Sequence, residues 1–329
     1  MTTDASRRER PFLSVVVPVL NEEDNVGHLC DRLRSVLAAE ASRFEVIFVD
    51  DGSTDATARR VADLHASDPS IRLVSLSRNF GHQIAITAGL DHVDGDACVT
   101  MDADLQHPPE VIPRLLAEYR KGFDVVSGVK TSQGRRFWVY RLGAAIYYPV
   151  MRRISNEAIE PHASDFRLMD RTVVDALRRT REATRFLRGL VKWVGFRSTS
   201  IPYEVGERHR GEPKFNFRRL AQLGAAGVFS FSVAPLRLAT ITGLLVAVFA
   251  GLMAVYYFVL KFREDVEPQG WTSLMVVILF LGGIQLLSIG MIGEYLGRVF
   301  VEAKRRPLYL VRETIGIRDG LGPPDGRER

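Results

Sequence analysis

The chain has 329 residues, 46% hydrophobic and 25% charged, with a net charge of +5 and a pI near 9.3. That length exceeds one small domain and suits a core of about 200 residues plus an appendage. The two cysteines, Cys30 and Cys98, lie far apart without a CxxC, which excludes a disulfide framework and suits a reducing compartment. A basic balance of this size fits a membrane surface, an anionic substrate or nucleic acid.

Residues 1–11 are polar and basic, and read as a flexible start that is not a secretory signal. The first half then alternates short apolar runs with helical patterns. Leu13–Val17, Phe44–Val49, Ile71–Ser75, Ala97–Met101 and Val125–Val129 predict strands. Val26–Ala39, Asp55–His65, His82–Asp91 and Pro109–Tyr119 predict helices between them. This alternation implies right-handed βαβ units and a largely parallel sheet, which binds ligands beyond the carboxyl ends of its strands. Three polar clusters fall at such ends: PVLNEEDN, VDDGSTD and MDADLQ. No G-x-G-x-x-G and no P-loop is present, and Pro18 occupies the first turn.

The second half changes character. Leu238–Leu260 and Trp271–Ile292 are long, apolar and uncharged. About 20 helical residues cross a hydrocarbon core, so both are predicted membrane spans, the alternative being core helices of a large soluble protein. Arg218, Arg219 and Arg237 precede them, and Arg298, Lys304, Arg305 and Arg306 follow, while the loop between is acidic. The positive-inside bias then puts both termini in the cytoplasm. Phe215–Phe231 reads as an interfacial helix.

The segment VTMDADLQHPPE is the most informative. Side chains two apart on an extended strand point the same way, so Asp102, Asp104 and Gln106 converge as hard oxygen ligands for Mg²⁺ or Mn²⁺. The competing reading is a loop in which Asp104 caps the next helix. In VDDGSTD, capping by Ser53, Thr54 or Asp55 accounts for one residue but not for the adjacent carboxylates Asp50 and Asp51. Asp51 suits a base N–H or a ribose hydroxyl. His82 and His107 read as loop hydrogen-bonders rather than metal ligands. Glu294 snorkels or pairs with an arginine.

Together PVLNEEDN, VDDGSTD, RNFGHQIAITAGL, MDADLQHPPE, GEPKF and SIGMIGEYLGR resemble family 2 glycosyltransferases over about Phe12 to Tyr309. The similarity is to the polyprenyl-phosphate branch, the GtrB-like and dolichol-phosphate mannosyltransferase-like enzymes. It implies an α/β GT-A fold, a Rossmann-like mixed sheet with flanking helices, plus interfacial helices and two C-terminal transmembrane helices. The implied division is a cytoplasmic catalytic domain at 12–214, an interfacial segment at 215–235, a two-helix membrane domain at 236–300 and a cytoplasmic tail at 301–329.

The resemblance also implies roles. Pro18, Leu20, Glu22 and Asp51 line the nucleotide pocket, and Asp102 and Ala103 meet the donor sugar or ribose. Asp104 and Gln106, with Asp102, hold the metal. Lys130 reaches phosphate from the fifth strand. Arg208 and Lys214, in the R-x-R-G-x-x-K pattern, grip the pyrophosphate and the acceptor phosphate. Arg135, Arg136 and Arg141 lie in an aromatic and basic stretch, Gly134 to Arg153, that is either an acceptor helix on the headgroups or a surface helix. Ala144, Asp165 and Pro213 depart from the pattern of relatives.

The expected activity is inverting transfer of one hexose from a nucleotide sugar to polyprenyl (undecaprenyl) phosphate at the inner membrane. UDP-glucose is the expected donor and GDP-mannose its competitor. The acceptor phosphate is already an anion, so no strong general base is required. Homo-oligomers are compatible with this reading. A processive polysaccharide synthase lacks support, because no Q-x-x-R-W segment occurs. A nonenzymatic nucleotide-binding membrane partner and a nucleic-acid binder rank below it.

Overall fold

The computed structural model describes residues 8–131, 163–183, 185–204, 234–263 and 270–317. Contacts divide the chain into two units. One comprises residues 1–152, 157–214 and 307–329, the other residues 153–156 and 215–306.

The first unit is built on an eight-stranded sheet of order β7-β5-β6-β4-β1-β2-β3-β8. Its strands are β1 (Phe12–Val19), β2 (Arg43–Asp50), β3 (Ile71–Leu76), β4 (Ala97–Thr100), β5 (Val125–Lys130), β6 (Ala163–Asp170), β7 (Ser198–Tyr203) and β8 (Val311–Ile315). The pairs β1–β2, β1–β4, β2–β3 and β5–β7 are parallel. β6 lies antiparallel between β4 and β5, and β8 closes the far edge antiparallel to β3. All five predicted strands and the four predicted helices form, with ends shifted by at most two residues except at the start of the fourth helix, which moves by three. The helices are α1 (Val26–Glu40), α2 (Thr57–Ser67), α3 (His82–Asp91) and α4 (Ile112–Arg120), the last entered through a 3₁₀ turn at Pro109–Val111. Two further helices, α5 (Arg171–Arg179) and α6 (Leu187–Trp193), follow β6.

The central strands are buried on both faces, as strands covered by helices must be. Side chains alternate between two cores. Val15, Val17, Val46 and Phe48 pack with Leu29, Leu33 and Leu116 on one face. Val16, Ile47 and Val49 pack with Ile86, Val173 and Leu190 on the other. Each such side chain contributes roughly 1.5–3 kcal/mol of burial. The result is a GT-A-like mixed sheet with helices on both sides.

The second unit contains α7 (Ala234–Arg263) and α8 (Trp271–Ala303). Both predicted apolar stretches therefore lie within continuous helices. Among the described residues only Phe280–Ala303 is long and apolar enough to cross a membrane, and Ala239–Met253 is a shorter apolar helix. The expectation of two spans is thus met by one qualifying segment. Glu294 Oε1 accepts hydrogen bonds from Arg298 Nε (3.1 Å) and Nη2 (3.0 Å), so the pairing expected of Glu294 is present. The interfacial segment 215–231 and the stretch 134–153 lie outside the described residues.

Candidate active site

The three polar clusters meet beyond the carboxyl ends of β1, β2 and β4. Their loops are laced by hydrogen bonds. Asn21, at φ +57°, donates its N–H to Ser53 Oγ (3.0 Å) and accepts from the Thr54 N–H at Oδ1 (2.9 Å). The Glu22 N–H reaches Thr57 Oγ1 at 2.9 Å. Asp55 accepts from the Thr57 N–H in an Asx turn that leads into α2, but the N-cap position is Ala56 and carries no side-chain cap, so the capping expected of this cluster is absent. Pro18 is the penultimate residue of β1 on the same edge, and Leu20, just beyond the strand, is left 41% exposed.

Asp50 and Asp51 divide their tasks. Asp50 is fully buried and accepts from Ser53 N–H (2.9 Å) and Ser75 Oγ (2.7 Å). Asp51 accepts one backbone N–H on each oxygen, from Phe80 (2.7 Å) and Gly81 (2.9 Å). Burial nevertheless pushes its carboxyl above the usual range, those two bonds opposing. Asp51 thereby ties β2 to the start of α3, and each oxygen keeps a second lone pair for a base or ribose donor. Gly52 makes this crossing possible. At φ +75° its absent Cβ would lie 2.7 Å from the Arg78 carbonyl carbon. Gly52→Ala is expected to destabilise the fold by about 1–3 kcal/mol and to displace residues 78–81, read by thermal unfolding and by loss of nucleotide binding.

The acidic loop follows β4. Asp104 Oδ1 accepts from the Gln106 N–H at 3.1 Å, closing a two-residue Asx turn. The 3₁₀ turn is preceded by Pro108 without any side-chain cap. Asp104 is therefore not the cap of the following helix, and that competing reading falls. Leu105 sits in the left-handed region at φ +62° although it is a branched, buried residue. Such a conformation costs of order 1–3 kcal/mol and persists only where the surroundings enforce it. Lys130 Nζ donates to Gln106 Oε1 at 3.3 Å, which brings the fifth strand's cation to the loop. Ala103 is buried within it.

Three residues that sequence reasoning did not place complete the site. Asp165, on β6, accepts both Arg188 Nε (3.0 Å) and Arg188 Nη2 (2.8 Å), and Gln83 Nε2 at 3.2 Å. Burial raises its pKa, but His82 and Arg188 outweigh burial and hold it far below the carboxylate range. His82 Nε2 stands 3.4 Å from Asp102 Oδ1 and 3.6 Å from Asp165 Oδ2. Burial works against its charge, yet Asp165 and Asp102 prevail and raise its pKa. His107 is the reverse case: burial, with Lys130 adding, pushes it down to about 3, so it is neutral. His107 is a hydrogen-bonder at the loop, as expected from the sequence, and His82 is an ion-pair partner of Asp102 and Asp165.

Asp102 Oδ1 is buried, and no hydrogen bond reaches it among the described residues. His82 stands beside it as an ion-pair partner only, so its lone pairs stay open to a ligand. No group of three or more His, Cys, Asp or Glu side chains among the described residues forms a metal cage. Two carboxylates and an amide on one loop instead fit a hard divalent cation that completes its shell with phosphate oxygens. Burial pushes Asp102 up to about 6, with Asp104 adding and His82 opposing. A cation there must displace a proton as pH falls. Mn²⁺ affinity is therefore expected to drop about tenfold per unit below pH 6 and to level off above pH 7. An affinity that stays flat from pH 5 to 7 contradicts this. In the cation-free protein the sign reverses: the raised pKa makes the fold more stable as pH falls from 6 toward 4.

Arg208 and Lys214 lie outside the described residues, as do Arg135, Arg136 and Arg141. The described site thus comprises the β1 and β2 loops, the acidic loop, Lys130 and the His82–Asp165–Arg188 cluster.

The profile of Glycosyl transferase family 2 matches residues 14–178, which spans all three clusters. The chain belongs to glycosyl transferase family 2. It is a glycosyltransferase, and the GtrB C-terminal hairpin matches residues 234–299. An uncharacterized glycosyltransferase of Synechocystis is 43% identical over 93% of this chain and 96% of its own length. A bactoprenol glucosyl transferase of Shigella phage SfII is 39% identical over 92% of this chain and 98% of its own. Among solved structures, a mannosyltransferase of Pyrobaculum calidifontis in complex with GDP-Man and Mn²⁺ covers 93% of this chain and 82% of its own, at 17% identity and a TM-score of 0.47. Within family 2, the β1 and β2 loops and the D-x-D loop of this chain are the parts that the geometry brings to one edge.

Proposed function

We propose that this family 2 enzyme transfers a single glucose from UDP-glucose to polyprenyl (undecaprenyl) phosphate at the cytoplasmic face of the membrane, with inversion at the anomeric carbon. The observation that carries the reading is the acidic loop: Asp102, with a buried oxygen that accepts no hydrogen bond among the described residues, lies two residues from Asp104 and four from Gln106 at the open end of β4. The glucosyl and lipid parts rest on the relatives named bactoprenol glucosyl transferase, which this chain matches nearly end to end.

A divalent cation, Mg²⁺ or Mn²⁺, held by Asp104, Gln106 and Asp102, supplies a Lewis acid for the diphosphate leaving group. The protein's own residues do the rest. Leu20, Pro18, Glu22 and Asp51 position the nucleoside, and Lys130 adds positive charge beside Gln106. Arg208 and Lys214 are assigned to the pyrophosphate and the acceptor phosphate, and Arg135, Arg136 and Arg141 to the acceptor. Preorganised cations of this kind stabilise charge as it develops on the leaving group. The lipid phosphate attacks as an anion, so the mechanism needs no group to remove a proton from it. In-line attack converts an α-linked donor into a β-linked lipid product.

The hairpin α7–α8 is assigned to the bilayer as two spans, with residues 12–214 and the C-terminus in the cytoplasm. Residues 215–235 are assigned to the headgroup zone. Phe280–Ala303 supports the second span by length and composition.

The test incubates membranes containing the enzyme with labelled nucleotide sugars and polyprenyl phosphate, and identifies the glycolipid by mass. Hexosyl lipid from UDP-glucose is expected. Product from GDP-mannose alone replaces this reading with a mannosyltransferase. Absence of both transfer and nucleotide-sugar hydrolysis leaves the nonenzymatic binding partner.

A further inference from the structure

The ring of His107 is 1% exposed and joins the acidic loop to β6. Its Nδ1 lies 2.9 Å from the backbone nitrogen of Asp102. That nitrogen carries a hydrogen, so Nδ1 must accept it. Acceptance at Nδ1 places the ring proton on Nε2, which lies 2.8 Å from Ser164 Oγ and donates to it. The tautomer is thus fixed by geometry. The ring stacks on Phe166 at 5.1 Å and 11°, and meets the edge of Tyr203 at 6.0 Å. Ser164 and Phe166 belong to β6 and Tyr203 to β7, so the ring is held by two strands and cannot turn without breaking both contacts.

The bond to Asp102 closes a ring of backbone from 102 to 107. Inside it lie Asp104, the Asx turn to Gln106 and Leu105 at φ +62°. A loop with a left-handed Leu relaxes unless its ends are pinned. His107 pins the end that begins at Asp102, and β6 is the anchor.

We propose that His107 is a positioning residue whose neutral imidazole clips the Asp102 backbone to Ser164 and so sets the spacing of Asp102, Asp104 and Gln106. This rests on the reading of that loop as the cation site. His107 itself touches neither donor nor acceptor. It acts through the carboxylates that it spaces.

The test compares three variants of the full chain in detergent. Asn places its amide oxygen near the position of Nδ1 and keeps the bond to Asp102. Gln reaches toward Ser164 and loses Asp102. Phe keeps the ring stack and loses both bonds. Mn²⁺ uptake in the presence of UDP is followed by electron paramagnetic resonance, alongside kcat, KM and thermal unfolding. Expected results are a loss of Mn²⁺ affinity of about tenfold or more in His107→Gln and His107→Phe, a parallel fall in kcat, and His107→Asn within about threefold of wild type. Asn and Gln put the same polar group into the same cavity, so a general folding defect is common to both and their ratio isolates the clip. Equal affinities for Asn and Gln, or wild-type affinity in a folded His107→Phe, overturn the proposal. Wild-type protein whose Mn²⁺ uptake is nil, or unchanged by Asp104→Asn, overturns the cation-site reading and the clip with it. A wild-type site that Asp104→Asn empties but no His107 variant alters overturns the clip alone.

Discussion

Asp104→Ala and Asp104→Asn are both expected to lower transfer by about 10²–10⁴-fold, a loss of roughly 3–5.5 kcal/mol of transition-state stabilisation. The two substitutions separate charge from shape. Asp104 Oδ1 accepts the Gln106 N–H at 3.1 Å. Asn preserves that acceptor, so the loop keeps its turn and loses only the negative charge. Ala removes both. If the carboxylate serves mainly as a cation ligand, Asn is nearly as inactive as Ala. If the turn is what matters, Asn retains most of the activity. Membrane insertion and thermal unfolding should stay near wild type in the Asn variant, because Asp104 is partly exposed and supports no core contact. The measurement is initial rate against Mg²⁺ or Mn²⁺ concentration with UDP-glucose and polyprenyl phosphate. Wild-type turnover at any cation concentration removes Asp104 from the reaction.

The reach of the sequence is clearest at this loop. Two carboxylates and an amide at alternate positions after a short apolar run are a local signal; the structure ends β4 at Thr100 and carries all three on the loop that follows. The first five strands were legible for a similar reason: burial writes continuous apolar runs. The remaining strands carry no such mark. β6 reads ASDFRLMD, and its Ser164 and Asp165 are buried polar residues with partners on distant elements, while the buried Arg167 bonds back to Ser164 on the same strand. β7 contains Pro202, which weakens a strand signal. β8 is five residues long, exposed and charged, an edge strand without a hydrophobic face. The site suffers the same blindness. His82, Gln83 and Arg188 converge on Asp165 only because β6 inserts antiparallel beside β4, and no spacing in the chain encodes that insertion. Asp51 shows a subtler gap: its carboxylate was legible as functional, but the backbone donors at Phe80 and Gly81 that engage it were not.

Deleting everything after Arg306 is expected to cost the catalytic unit its fold, although every motif of the reaction lies earlier in the chain. Read from the sequence as a tail, residues 307–317 belong structurally to the sheet. β8 pairs with β3 through Leu73–Ile315, Val74–Thr314 and Ser75–Glu313, and Ser77 donates its N–H to Leu310 at 2.9 Å. The Tyr309 ring is buried, and its hydroxyl donates to Asp91 Oδ2 at 2.7 Å. Asp91 is itself buried at the end of α3 and held by both terminal nitrogens of Arg181 at 2.8 Å. Arg312 lies 3.6 Å from Asp50 and donates to Ser75 Oγ, so the segment also braces the residue that shapes the Asp51 loop. Graded substitutions resolve the contributions. Tyr309→Phe removes one hydrogen bond to a charged group and should cost about 1.5–3 kcal/mol. Tyr309→Ala adds a cavity between α3 and the sheet and should cost about 3–5 kcal/mol. Truncation removes both and also leaves β3 as a bare edge, which should appear as aggregation and rapid proteolysis rather than a lower midpoint. Thermal unfolding and limited trypsin digestion in detergent distinguish these outcomes. A truncated chain that unfolds and turns over like the wild type would show that β8 is dispensable, and would return residues 307–317 to the status of a tail.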